Sequence, residues 1–129
     1  MQSHFPGWTF RAADAIAGFG LHGALIVGLR REVAELPNLV AQLRTFTVEV
    51  ARDGGVQAHG GGANVLDSPL LAAAELLAVL TNQPHFEPIQ AGEIVTTGTL
   101  TPLVAIHAGE TWSTEPSGIK LDGLRVQFR

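Results

Sequence analysis

Three threonines and a glycine close the stretch GEIVTTGTL at residues 92–100. The hydroxyls of Thr96, Thr97 and Thr99 can each donate and accept a hydrogen bond, and Gly98 leaves backbone N–H groups unshielded. A small anion suits that combination. The plainer reading is a strand surface, because β-branched threonine fits a pleat. Gly98 resists it, since glycine inside a strand weakens it and marks close approach of a ligand or another backbone.

Other chemistry-bearing patterns fail on context. Gly18-Phe19-Gly20-Leu21-His22-Gly23 spells G-x-G-x-x-G, but a dinucleotide site needs a strand before that motif and a helix after it. Here the order is reversed, so a helix-to-strand turn is expected. His59-Gly60-Gly61-Gly62 resembles an esterase oxyanion loop, yet the chain has no G-x-S-x-G elbow. His85-Phe86-Glu87 resembles the H-x-E of zinc deaminases, which also need cysteine ligands. With no cysteine in the chain, disulfides, thiolate metal sites and cysteine nucleophiles are excluded, and His85 reads as a loop residue. His22 and His107 flank apolar runs, where histidine is usually a hydrogen-bonded structural residue. Glu93 reads as a solvated strand start.

The elements that must position these residues follow from periodicity. Trp8, Ala12, Ala15 and Ile16 form the apolar face of a short helix ending at Gly18. Ala24-Leu25-Ile26-Val27, bounded by Gly23 and Gly28, predicts a buried strand. Residues 30–44 form a connector containing Pro37, with a helical turn around residues 39–43. Residues 45–50 alternate with period two, Asp53-Gly54-Gly55 supplies a turn and Val56 to His59 returns, which predicts a hairpin. Ser68-Pro69 is an N-cap followed by proline at the first helical position, opening a helix over residues 70–81. That helix is apolar on nearly every side apart from Glu75, so burial is expected. Strands are predicted at residues 94–97, 103–106 and 111–114, and a last one with Leu124, Val126 and Phe128 facing inward. The order gives an α+β fold with a curved or rolled sheet and two main helices.

At 129 residues and 46% hydrophobic content, residues 1–129 form one domain with a core. No window holds about 18 uninterrupted apolar residues, and the N-terminus lacks a signal pattern, so a soluble, cytoplasmic protein is expected without a membrane partner. The net charge of −4 and the scattered basic residues exclude a nucleic-acid footprint.

Taken in order, HGGGANVLDSPLLAAAELLAVL, AGEIVTTGTLTPLVAIHAGETW and GLRVQF resemble the C-terminal half of the fumarylacetoacetate hydrolase superfamily, in its 2-keto-4-pentenoate hydratase and 4-oxalocrotonate decarboxylase branch. The segment WTFRAADAIAGFGLHGALIVG resembles that family's helix and strand ahead of the hairpin. The resemblance implies a mixed β-roll of the fumarylacetoacetase C-terminal-domain type, incomplete here, and a divalent Mg²⁺ or Mn²⁺ that seats a 2-keto acid and stabilises an enolate. It implies that Thr97, Gly98, Thr99 and Leu100 line the substrate pocket. It also implies that the acidic metal ligands lie upstream of the segment corresponding to Ser3-His4-Phe5, so that no metal ligand is expected in this chain and the chain is expected to be inactive alone. Where many of those hydratases carry Asp-Asn near the end of the first helix, this chain has Gly18-Phe19. The expected partners are a 2-keto acid together with further copies of the chain or a complementary N-terminal half. The competing function is a non-catalytic binding or oligomerisation module built on the same fold.

Overall fold

The computed structural model describes residues 5–85 and 87–129. Ser3, His4 and Phe86, which belong to two of the motifs above, lie outside the described residues. The regular elements are α1 (Ala12–Ala17), α2 (Leu39–Thr45), β1 (Thr47–Arg52), β2 (Gly55–Gly61), α3 (Pro69–Thr81), β3 (Thr111–Ser117) and β4 (Arg125–Gln127). The strands form one antiparallel sheet in the order β2-β1-β3-β4. The α+β class therefore holds.

The hairpin forms where the alternation places it. Asp53 and Gly54 both take positive φ, +48° and +84°, the pairing that a tight two-residue hairpin turn requires. Asp53 also ties the turn to β3: its backbone N–H donates to the Thr111 carbonyl at 2.8 Å, and its Oδ1 accepts from Thr111 N–H at 2.9 Å. The register sets the two faces of the sheet. Val50 lies opposite Ala58 and Thr114, and Trp112 opposite Val126; on the other face Glu49 lies opposite His59 and Glu115. At β4, Leu124, Val126 and Phe128 are half-buried while Arg125, Gln127 and Arg129 are exposed, as the alternation predicts.

The core is small. Leu36, Phe46, Val48, Ala58, Val65, Trp112 and Ile119 are its buried apolar residues. Phe46 sits at its centre, where α2 meets β1. The Phe46 carbonyl accepts from Gly62 N–H at 3.1 Å. A Cβ at Gly62 would collide with the Leu43 carbonyl oxygen and lie 2.7 Å from Phe46 Cε1.

At the far end of the sheet, one carboxylate organises the start of β3. Glu110 Oε2 accepts from His107 N–H at 2.8 Å and from Trp112 Nε1–H at 2.9 Å. The Arg52 guanidinium lies 3.4 Å from Oε1 and 6.0 Å from the centre of the Trp112 ring. The His107 backbone donor above all, then Trp112, hold the Glu110 carboxyl below its ordinary pKa of 4.5. A lowered folded-state pKa stabilises the fold above the unfolded value, and that stabilisation is lost as pH falls through the folded one. Glu110→Gln is therefore expected to flatten the acid limb of a melting-temperature profile below about pH 4.5, as read by thermal denaturation between pH 2 and 7. An unchanged acid limb would contradict this role.

Several elements differ from expectation, for one shared reason. Residues 24–27, 94–97 and 103–106 form no ladder; all four strands of the sheet come from elsewhere. A strand is defined by a neighbour, and none of the described residues supplies one there. Leu25, Ile26 and Val27 are consequently about half exposed rather than buried. α3 is capped as the sequence predicts, with Ser68 Oγ accepting from Leu70 N–H at 3.3 Å. It is only partly covered, however: α2 packs against it and Ala72, Ala73, Leu76 and Leu80 are half-buried, while Leu70, Leu71, Leu77 and Val79 remain exposed. In α1, which starts only at Ala12, Ile16 is exposed as well. The G-x-G-x-x-G segment is a 3₁₀ turn at Phe19–Leu21, with positive φ at Phe19, Gly20 and Leu21, and the segment that follows it lacks a ladder.

By length and composition alone, Gly62–Thr81 could cross a membrane. Only Pro69–Thr81 of it is α-helical, 13 residues, which rises about 20 Å at 1.5 Å per residue. A bilayer core is about 30 Å thick.

Candidate functional site

Residues 97–101 lie against the glycine-rich end of β2. The sequence separates these two stretches by some 36 residues, and the structure joins them. The Asn64 side-chain amide donates to the Leu100 carbonyl at 2.8 Å across a separation of 36. At Gly60 a Cβ would collide with that same Leu100 oxygen and stand 2.6 Å from Thr101 Cγ2. A backbone can approach this closely only because β2 ends in glycines. Val65, buried beneath the junction, lies under Gly98, where an added Cβ would meet its methyls at 3.7 and 3.9 Å. That is ordinary contact, so the residue that permits the close approach is Gly60, and Gly98 has room.

The hydroxyls divide into two kinds. Thr99 Oγ1 donates to the Thr101 carbonyl at 2.6 Å and accepts from Thr101 N–H at 3.4 Å, so it bends the chain into a local turn. Thr97 is exposed, and its hydroxyl has no hydrogen-bond partner among the described residues. Thr97 and the backbone around Gly98 therefore present open donors, while Thr99 shapes the segment and Leu100, half-buried, anchors it.

Beside the junction, the polar face of the sheet carries a row running His59, Glu49, Glu115 across three strands. His59 Nδ1 lies 3.2 Å from Glu49 Oε1. These residues, with Thr47 and Gly60, line an open groove. The other sequence candidates lie apart. Glu93 Oε2 accepts from Gln90 N–H at 2.7 Å in a local turn, and His22, His85 and His107 are exposed.

Magnesium or manganese asks for several hard oxygen ligands around one point. Among the described residues, no three histidine, aspartate or glutamate side chains come together in a way that could hold a metal ion. The described residues therefore do not fit such a group.

Asn64, Gly60 and the His59–Glu49–Glu115 row are not apparent from local sequence patterns. Three consecutive glycines leading into Asn64 are the one signal for a close approach there. The rest depends on strand register.

No protein-family model matches the chain. Among curated proteins, it is 31% identical to a 2-keto-4-pentenoate hydratase of Burkholderia vietnamiensis over 99% of this chain and 46% of that protein. It is 31% identical to 2-keto-4-pentenoate hydratase 2 of Dechloromonas aromatica over 92% of this chain and 43% of the relative, and 29% identical to a 4-oxalocrotonate decarboxylase of Pseudomonas putida over the same shares. A solved 4-oxalocrotonate decarboxylase from Pseudomonas putida G7, complexed with magnesium and adipate, matches all of this chain with a TM-score of 0.84 at 26% identity. Over nearly its whole length the chain is similar to 2-keto-4-pentenoate hydratases and 4-oxalocrotonate decarboxylases.

The chain spans a little under half the length of the relatives it matches. A second structure of the Pseudomonas putida G7 decarboxylase, with calcium and acetate, matches 68% of the chain at 31% identity and a TM-score of 0.61. Both solved structures hold a divalent metal and a carboxylate.

Proposed function

We propose that the chain is the substrate-side part of a hydratase-like enzyme that acts on a 2-hydroxy-dienoate or 2-keto acid, with Thr97, Gly98, Thr99 and Leu100 forming one wall of the pocket. The observation that supports this most is the junction in which Asn64 and Gly60 hold residues 97–101 on the end of β2. It fixes the position of an exposed hydroxyl and of glycine backbone N–H groups, which can bind the carboxylate of a keto acid. A divalent metal, Mg²⁺ or Mn²⁺, belongs on the opposite wall, supplied by polypeptide other than the described residues. The chain alone is then inactive, and its setting is the cytoplasm.

Turnover of 2-hydroxypenta-2,4-dienoate with Mg²⁺ or Mn²⁺ tests this reading. Activity is expected only when the remaining part of a hydratase-type chain is present. Thr97→Val is expected to raise KM for the keto acid by about fivefold, the equivalent of one hydrogen bond of ~1 kcal/mol, with an unchanged melting temperature. Thr99→Val should instead lower kcat, because it alters the shape of the segment. Equal, negligible effects of both would count against the pocket assignment. The second reading, a non-catalytic association module, is favoured by the exposed apolar surface of α3; a complex that forms but never turns over the dienoate would support it.

A further inference from the structure

Two apolar segments lie on the sheet without belonging to any sheet. Ile26 and Ile106 line an open pocket of about 220 Å³ together with Val50, Trp112, Val126 and Phe128 of the sheet's apolar face. The run from residue 26 to 31 follows β4's approach: a Cβ at Gly28 would stand 3.1 Å from Leu124 Cδ2, and Arg31 pairs with Asp122. These segments are thus a second layer over the apolar face. Yet among the described residues neither 23–29 nor 103–106 makes a backbone–backbone hydrogen bond. Leu29 and Leu103 are 77% and 87% exposed. Continuous apolar sequence with every N–H and C=O free is a template for pairing with another strand.

The exposed area gives the scale of what is uncovered. The chain exposes 9760 Å², against roughly 6,600 Å² for a compact monomer of its mass. The excess, on the order of 3,000 Å², falls in the range of obligate interfaces. The occupant is indicated by the match to the solved decarboxylase. The whole of this chain keeps the backbone arrangement of that protein, while more than half of that protein lies outside the match. Surfaces shaped within a larger single-chain fold are complementary to the rest of that fold.

We infer that residues 23–29 and 103–106 are strands without their ladder partners, and that the partner is a polypeptide equivalent to the part of the relatives' chain outside the match, which completes a second sheet over the apolar face. This rests on the hydratase-like reading for the identity of the partner, and its test does not use turnover. The chain is co-expressed with the unmatched part of the Burkholderia vietnamiensis hydratase, and the product is analysed by sedimentation and amide hydrogen exchange. The expected result is a 1:1 complex in which the amides of residues 23–29 and 103–106 become at least 100-fold more protected than in the chain alone.

Val27→Pro removes an N–H that is unpaired in the free chain, and Val104→Lys places a charge at an exposed site on the second segment. Each is expected to weaken the complex at least tenfold while leaving the melting temperature of the free chain within a degree or two. No complex, or a complex in which the two segments still exchange freely, overturns the inference. So does a homodimer of the chain alone with both segments protected, since the occupant would then be a second copy. A protected complex that fails to hydrate the dienoate leaves the strand completion standing and removes the catalytic reading.

Discussion

Gly60→Ala is expected to cut the activity of the completed enzyme about 100-fold, the cost of a displacement near 1 Å at a site that orients substrate. The added methyl would collide with the Leu100 carbonyl oxygen and press on Thr101. The obstruction is backbone, so no rotamer change relieves it, and residues 97–101 must move off the end of β2. Asn64 would lose its 2.8 Å hydrogen bond to Leu100 in the same movement. Overpacking of this kind costs about 1–3 kcal/mol, which the sheet can tolerate, so the loss should appear in catalysis before it appears in folding. Gly98→Ala is the contrast: its methyl would meet Val65 at ordinary contact distance and displace no backbone, so the loss of activity should be clearly smaller than for Gly60→Ala. Steady-state kinetics on both variants decide the matter, and the reverse ranking would mean that the segment is held by something other than the Gly60 contact.

The largest expected effect on stability is that of Phe46→Ala. Phe46 is 7% exposed and joins α2, β1 and the Gly61-Gly62 corner: its carbonyl accepts from Gly62, and its ring lies against the position that a Gly62 side chain would take. Removing a buried phenylalanine costs about 3–5 kcal/mol. Domains of ordinary size are stable by only about 5–15 kcal/mol, and a chain with so few buried side chains has little reserve. The variant is expected to be unfolded near 37 °C by circular dichroism, unless the partner polypeptide is bound. A melting temperature within a few degrees of the unsubstituted chain would place the core elsewhere.

What the sequence revealed and what it concealed divide along the line between local and non-local interactions. The hairpin was legible because alternation and the Asp53-Gly54 turn lie within fifteen residues of each other. The Ser68 cap was legible for the same reason, since a cap is made within one turn of helix. The inward set Leu124, Val126 and Phe128 followed from period two alone. By contrast, the apolar run Ala24 to Val27 has the composition of a buried strand, but burial and pairing are supplied by neighbours that no local pattern names. The same holds for α3: its composition predicts cover all round, and among the described residues Leu70, Leu71, Leu77 and Val79 stay exposed. In the candidate site, the threonines stood out by type, whereas Asn64 and Gly60 emerged only when strand register brought residue 60 against residue 100. The sequence also pointed to Gly98 as the position of close approach, and the geometry locates that approach at Gly60.

The most direct test of the central claim is divalent-metal-dependent hydration of 2-hydroxypenta-2,4-dienoate, followed by loss of dienoate absorbance in the chain alone and in its purified complex with the unmatched part of the hydratase chain. No turnover is expected from the chain alone, and the complex is expected to turn over the dienoate in a reaction that requires Mg²⁺ or Mn²⁺ and is abolished by a chelator. A well-folded complex that binds no divalent metal and leaves the dienoate unchanged would contradict it.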